Sequence, residues 1–159
     1  MPQIVFQSPL GTLGLSSNTH AITTLSFLPP QTTDLEGLAD PVLAQAYEEL
    51  QEYFAGKRRV FSVPCEPQKG TPFQRAVWGA LQEIPYGECV SYKTIAARIG
   101  NPKAVRAVGG ANNKNPIAIL IPCHRVIGAS GSLVGYASGV DKKVFLLNHE
   151  GYSLPSKSI

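Results

Sequence analysis

The stretch Ser91-Tyr92-Lys93-Thr94-Ile95-Ala96-Ala97-Arg98-Ile99-Gly100-Asn101-Pro102-Lys103-Ala104-Val105-Arg106-Ala107-Val108 decides how the second half of the chain folds. Ser91 is a good N-cap, and Tyr92, Ile95, Ala96 and Ile99 recur at helical spacing before Gly100 stops the helix. Asn101-Pro102 then opens a second helix through Ala104, Val105 and Val108. Two short helices joined through a glycine make a helix-turn-helix arrangement. The second carries Lys103 and Arg106 among the small side chains Ala104 and Ala107, which lets a helix lie close to a nucleic-acid surface. Helix packing alone would also account for the alanines.

Upstream, Thr71-Pro72 with Gln74 at capping-box distance opens a helix that carries Phe73, Val77, Leu81 and Ile84 on one face, until Pro85 and Gly87 stop it. Pro64, Pro67, Gly70 and Pro72 break all periodicity before it, so that stretch reads as a linker with a domain boundary near residue 67. Before the linker, Asp40 and Pro41 begin a helix with Val42, Leu43, Ala46, Tyr47, Leu50, Tyr53 and Phe54 at helical spacing as far as Gly56. Three short β-type runs precede it, around Ile4, from Gly11 to Leu15 and from Ile22 to Phe27, as in a small meander. Downstream, Ile117 to Ile121 is an apolar extended run, and Asp141 to Glu150 a last helix offering Val144, Leu146 and Leu147 to the core.

The 159 residues are 43% hydrophobic and 16% charged, which supplies a core and excludes disorder along the whole chain. The longest apolar run, Ile117 to Ile121, is far too short to span a bilayer. The first Lys or Arg is Lys57, so no secretory n-region is present and the cytoplasm is the expected location, with no membrane association. The net charge of +3 divides into −6 over residues 1–56 and +9 over the rest, an asymmetry that suits a second unit meeting a polyanion. Three cysteines, Cys65, Cys89 and Cys123, are too few for a disulfide framework, and no C-x-x-C or H-x-x-x-H spacing offers a metal site.

Chemistry concentrates in Ile121-Pro122-Cys123-His124-Arg125-Val126. A thiolate is the nucleophilic form of cysteine, and neighbouring positive charge or a hydrogen-bonded histidine raises its fraction at neutral pH. Adjacent side chains of a strand point to opposite faces, so Cys123 and His124 communicate only through a bend or a bridging water. A buried inert thiol is the commoner state of the residue type.

Pro122-Cys123-His124-Arg125-Val126 resembles the active-site signature of the 6-O-alkylguanine-DNA alkyltransferases, or methylated-DNA-protein-cysteine methyltransferases. Thr71 to Gln74, Ile84 to Glu88, Ser91-Tyr92, Gly100 to Ala111, Asn115-Pro116 and Leu146 to Gly151 resemble the same family in order and spacing, which covers nearly all of residues 70–151. The N-terminal part is similar in size and element order only. The fold implied is α/β plus α. Residues 1–67 would form a small antiparallel sheet with a helix, ribonuclease H-like, and residues 68–159 a mostly helical winged helix-turn-helix domain for DNA binding and alkyl transfer.

The activity implied is removal of an alkyl group, mainly methyl, from the exocyclic oxygen of guanine in double-stranded DNA, by irreversible transfer to Cys123. The resemblance makes the protein a DNA-repair molecule consumed by one lesion, acting as a monomer and needing no cofactor or metal. By the same resemblance His124 takes the thiol proton through a water, Glu150 orients the imidazole and Asn115 braces the active-site turn. Tyr92 donates to a ring nitrogen of the flipped guanine, and Arg106 fills the place of the extruded nucleotide. The second helix lies in the minor groove, with Ala104, Ala107 and Ala111 allowing close approach and Lys103 and Arg125 adding contacts to DNA. Val126, Tyr136, Ala137 and Ser138 line the substrate pocket.

Three positions depart from some relatives: Ala137 replaces a serine, Ser138 a glycine and Ala118 a proline. Added bulk at Ser138 and loss of the proline predict faster reaction with methyl than with benzyl adducts. Two other readings compete. A non-catalytic sensor of alkylated DNA, or a winged-helix module, would not need Cys123, and a cysteine hydrolase built on Cys123, His124 and Glu150 would turn over.

Overall fold

A computed structural model describes residues 1–128, 136 and 138–152. The chain divides into two compact units, one formed by Met1–Gln68 with Pro116–Leu120, the other by Lys69–Asn115 with the described residues from Ile121 onward.

In the first unit, strands β1 (Gln3–Ser8), β2 (Gly11–Ser17) and β3 (Ile22–Phe27) form an antiparallel sheet in the order β1-β2-β3. Alternation turns Ile4, Phe6, Leu13, Leu15 and Leu25 inward, where helix α1 (Pro41–Phe54) covers them with Leu43, Ala46, Leu50 and Tyr53. Asp40 caps α1 by accepting from the Leu43 amide at 3.1 Å, and it also accepts from the Ser17 hydroxyl at 2.7 Å, which ties the cap to β2. Such a cap stabilises a helix by about 1 kcal/mol.

Two segments run differently from their sequence expectation. Residues 64–66 add to the free edge of β3, with the Ile22 amide donating to Pro64 O and the Glu66 amide to Ile22 O, each at 2.8 Å. Further along that edge the Leu25 amide donates to Pro116 O at 3.0 Å and the Ala118 amide to Leu25 O at 3.1 Å. The expected linker and the expected downstream strand thus each supply one short bridge, and together they satisfy an edge that would otherwise be open to pairing with another chain. Residues 118–120 form a tight turn in which Ile119 has φ +67°, a strained setting for a β-branched residue.

The second unit is helical. Helix α2 (Pro72–Leu81) begins with the complete capping box, the Gln74 amide donating to Thr71 Oγ1 at 3.1 Å and the Thr71 amide to Gln74 Oε1 at 3.0 Å. Its Trp78 donates through Nε1 to Ala111 O at 2.9 Å, on helix α4 (Val105–Asn113). Gly70 is required beside that indole: its φ is +132°, and a Cβ there would stand 2.6 Å from the ring. Strand β4 (Val90–Ser91) leads into helix α3 (Tyr92–Arg98), capped by the Ser91 hydroxyl accepting from the Thr94 amide at 3.0 Å. The helix ends in a Schellman turn at Gly100, φ +77°, with the amides of Gly100 and Asn101 returning to Ala97 O and Ala96 O.

Helix α4 starts three residues later than Pro102 suggests, because Asn101 to Ala104 close a turn of their own, the Ala104 amide donating to Asn101 O at 3.0 Å. Lys103 therefore sits on the turn between the helices. Strand β5 (Val126–Ile127) pairs in parallel with β4, and helix α5 (Val140–His149) closes the described part of this unit.

Candidate active site

Pro122 decides how Cys123 is presented. Its φ of −80° and ψ of 66° make an inverse γ-turn, which returns the Cys123 amide to Ile121 O at 2.8 Å. The chain continues as a 3-10 turn over Cys123–Arg125, the Arg125 amide donating to Pro122 O at 3.0 Å. The thiol is therefore carried on a turn, which is the bend that brings neighbouring side chains to one site. Two asparagines hold it. Asn115 Nδ2 donates to Ile121 O at 2.8 Å, and Asn112 Nδ2 donates to Cys123 O at 3.3 Å.

Cys123, His124 and Arg125 are all buried, at 5%, 0% and 6% exposure, against the C-terminal end of α5. There Glu150 is the helix C-cap, where the free carbonyls of the helix end repel a carboxylate. Cations offset this. Arg125 Nε donates to Glu150 Oε1 at 2.7 Å and Nη2 to Oε2 at 3.0 Å, while His124 Nε2 lies 2.7 Å from the same Oε2. Burial pushes the Glu150 pKa up, but the hydrogen bonds and charges of His124 and Arg125 prevail and hold it far below the ordinary carboxylate range. An ionised carboxylate only accepts, so His124 Nε2 carries a proton. Nδ1, the other ring nitrogen, is buried with no hydrogen-bond partner among the described residues.

Burial pushes the Cys123 thiol up, against hydrogen bonds from Asn115 and Tyr136 and the charge of Lys143, all of which favour the thiolate. Burial also lowers the His124 pKa, with Glu150 opposing and Arg125 and Lys143 reinforcing. The resting pair is thus a neutral thiol beside a neutral imidazole. Tyr92, half-buried at the start of α3, is raised by burial and then by the proximity of Cys123, which puts its phenol at the same site.

Of the other residues expected from sequence, Tyr136 is buried at the thiol, Val126 is buried in β5, and Ser138 is half-buried before α5. Ala137 lies outside the described residues. Lys103, Arg106 and Ala107 are exposed and Ala104 partly so. Two residues expected at the DNA face are buried. Ala111 is 3% exposed beneath Trp78 because the inner face of α4 carries Val108, Ala111 and Asn112. Arg125 is buried because both edges of its guanidinium are engaged, Nη1 donating to Ile84 O at 2.7 Å and the rest gripping Glu150.

The 6-O-methylguanine DNA methyltransferase DNA-binding domain matches residues 72–152, and the ribonuclease-like domain of the same family matches residues 2–67. The chain belongs to that family. Among curated 6-O-methylguanine DNA methyltransferase relatives, the constitutive methylated-DNA–protein-cysteine methyltransferase of Bacillus subtilis is 49% identical, over 95% of this chain and 96% of its own. That of Methanosarcina acetivorans is 48% identical over 92% of this chain and 96% of its own. Among solved structures, the OGT of Mycobacterium tuberculosis in complex with DNA superposes with a TM-score of 0.83 at 42% identity, covering 97% of this chain and 95% of that one.

Sequence reasoning missed two residues of this methyltransferase site. Lys143 is fully buried, its Nζ 5.9 Å from the centre of the Tyr92 ring, and burial lowers its pKa to about 8 while Cys123 and Cys89 pull the other way. The signal was available, since Lys143 precedes Leu146, Leu147 and Glu150 by three, four and seven residues and so shares their inward face. Asn112 gave no such signal, because its partner is a backbone carbonyl eleven residues away. Among the described residues no helix is long and apolar enough to cross a membrane, and no cluster of metal ligands forms.

Proposed function

We propose that this protein repairs duplex DNA by moving the alkyl group of 6-O-alkylguanine onto Cys123, where it remains as a thioether. The observation that carries the reading is the shared site of thiol, imidazole and carboxylate on one turn and one helix end, with His124 Nδ1 as its open acceptor. In this reading a bridging water passes the Cys123 proton to Nδ1, which generates the nucleophile only when substrate is present. The sulfur attacks the alkyl carbon in line with the departing oxygen. The S–C bond forms as the C–O bond breaks, and the electron pair stays on the guanine, where the Tyr92 hydroxyl offsets it by donating to a ring nitrogen.

Lys143 supplies the standing positive charge beside the sulfur and favours the thiolate over the thiol. Nothing in this set breaks a thioether again, so each molecule acts once. The exposed Arg106 and Ala107 suit α4 to a minor groove, with Lys103 on the turn before it and Arg106 holding the gap left by the extruded nucleotide. Ser138, half-buried just before α5, is read as a wall of the substrate pocket whose bulk favours methyl over larger groups. The partner is double-stranded DNA carrying alkylated guanine, and the place of action is the cytoplasm with the chromosome.

Single-turnover repair of a duplex with one 6-O-methylguanine tests this. Guanine restored should equal the protein added and then stop, with benzyl adducts reacting more slowly. Continued turnover beyond one equivalent would make the site hydrolytic, and binding without restored guanine would make it a sensor.

A further inference from the structure

A lone carboxylate facing an imidazole draws a second proton onto it, and a charged histidine could not accept one from the thiol. The carboxylate here is not alone. Arg125 reaches both oxygens of Glu150, at 2.7 Å and 3.0 Å, and shares Oε2 with His124. Its remaining edge is fixed to Ile84 O at 2.7 Å, and its Cζ lies 5.8 Å from the centre of the Tyr86 ring, whose hydroxyl donates to His149 O at 3.2 Å. The guanidinium is thus held where its charge cancels that of Glu150, with little freedom to move away.

We infer that Arg125 is a positioning residue: by neutralising Glu150 it keeps His124 as the uncharged imidazole with its proton on Nε2, so that Nδ1 rests with its lone pair available. The charged groups facing the imidazole are Lys143 on α5 and Glu150 at its C-cap, with Arg125 from its own turn. Only Glu150 favours a second proton, and Arg125 occupies both its oxygens. A proton on Nδ1 would also be buried without an acceptor among the described residues. Burial, Arg125 and Lys143 act in the same direction on the imidazole.

This deepens the proposed reaction, but its test needs no DNA. In 15N-labelled protein, the long-range 1H–15N signals of the His124 ring should be those of a neutral Nε2–H tautomer from pH 6 to pH 8. Arg125→Met removes the cancelling charge and should move the His124 titration up by about one unit or more, a tenfold gain in the charged form, while Arg125→Lys, which keeps the charge, should stay near wild type. The acid limb of the pH–rate profile should follow in Arg125→Met. A folded Arg125→Met with unchanged His124 signals overturns the inference, and so does an Arg125→Lys shift equal to that of Met. If Arg125→Met does not fold, the double variant Arg125→Met with Glu150→Gln, which leaves no carboxylate uncompensated, should hold His124 neutral, and a His124 charged at pH 7 there overturns it. Because the signals come from the free protein, they stand or fall apart from alkyl transfer itself.

Discussion

Each unit of the molecule holds a cysteine whose thiol is raised by burial and a buried glutamate, and the two glutamates do opposite things. In the first unit Cys65 lies near Glu49, and burial, then the negative charge, push its thiol up to about 12. Glu49 faces backbone: its Oε1 accepts from the amides of Ser62 and Val63 at 2.8 Å and 3.1 Å, which pins the chain after α1. In the second unit His124 stands against Glu150, Arg125 cancels that carboxylate, and Lys143 adds positive charge near Cys123. Burial raises both thiols. What separates an inert thiol from a nucleophile here is the sign of the nearby charge and the presence of a base, which neither burial nor residue type supplies.

The comparison breaks most sharply at the thiols. Cys123→Ser should abolish alkyl transfer, whereas Cys65→Ala should leave the rate within about twofold, as expected of a packing residue with no base beside it. A rapid-quench assay on methylated duplex reads both. The glutamates come next. Glu150→Gln should lower the transfer rate by about 10²–10³-fold, the usual range for disabling a positioned acid–base group. Glu49→Ala should leave the rate alone and cost about 1–3 kcal/mol of stability, the penalty for orphaning buried amides, read by urea denaturation.

Lys143→Met sharpens the contrast by separating activity from stability. Transfer at pH 7 should fall about tenfold, the equivalent of one pKa unit lost from thiolate stabilisation, while the protein melts higher because a buried charge is gone. The sign with pH follows from the lysine's value of about 8, below its ordinary 10.5. Below pH 8 the native state holds a disfavoured charge, and that cost is relieved as pH rises from 8 to 10.5, so the melting difference between variant and wild type should shrink over that window. The smallest effect is expected on DNA affinity. Arg106→Ala should weaken duplex binding severalfold and reduce the salt slope by about one, while Arg58→Ala, whose guanidinium is already 2.7 Å from Glu52 in the first unit, should change neither.

Helices α1, α2, α3 and α5 were legible because their signals are local: Asp40 and Pro41, the Thr71–Gln74 box, Ser91 with Gly100, and the apolar spacing before Glu150. The two bridges on the edge of β3 were not, since nothing in residues 64–66 or 116–118 states which strand they meet. The same division runs through the site. Cys123 and His124 stand out as a contiguous motif, whereas Glu150 enters only through the family resemblance, since a carboxylate at a helix end reads by itself as solvated. Arg125 reads as a surface cation until the Glu150 carboxylate and Ile84 carbonyl that surround it are known. Lys143 hides beside Lys142 on a helix whose outward face also carries charge, and only the position of the thiol explains a buried ammonium. Ala111 reads two ways, because a small residue on a helix serves close packing under Trp78 as well as close approach to DNA.

The most direct test of the account is intact mass with peptide mapping after incubation with duplex carrying one 6-O-methylguanine. A single added methyl, confined to the peptide that holds Cys123 and absent from those of Cys65 and Cys89, is the predicted result. An unchanged mass with the lesion still bound, or a methyl on either other cysteine, would contradict it.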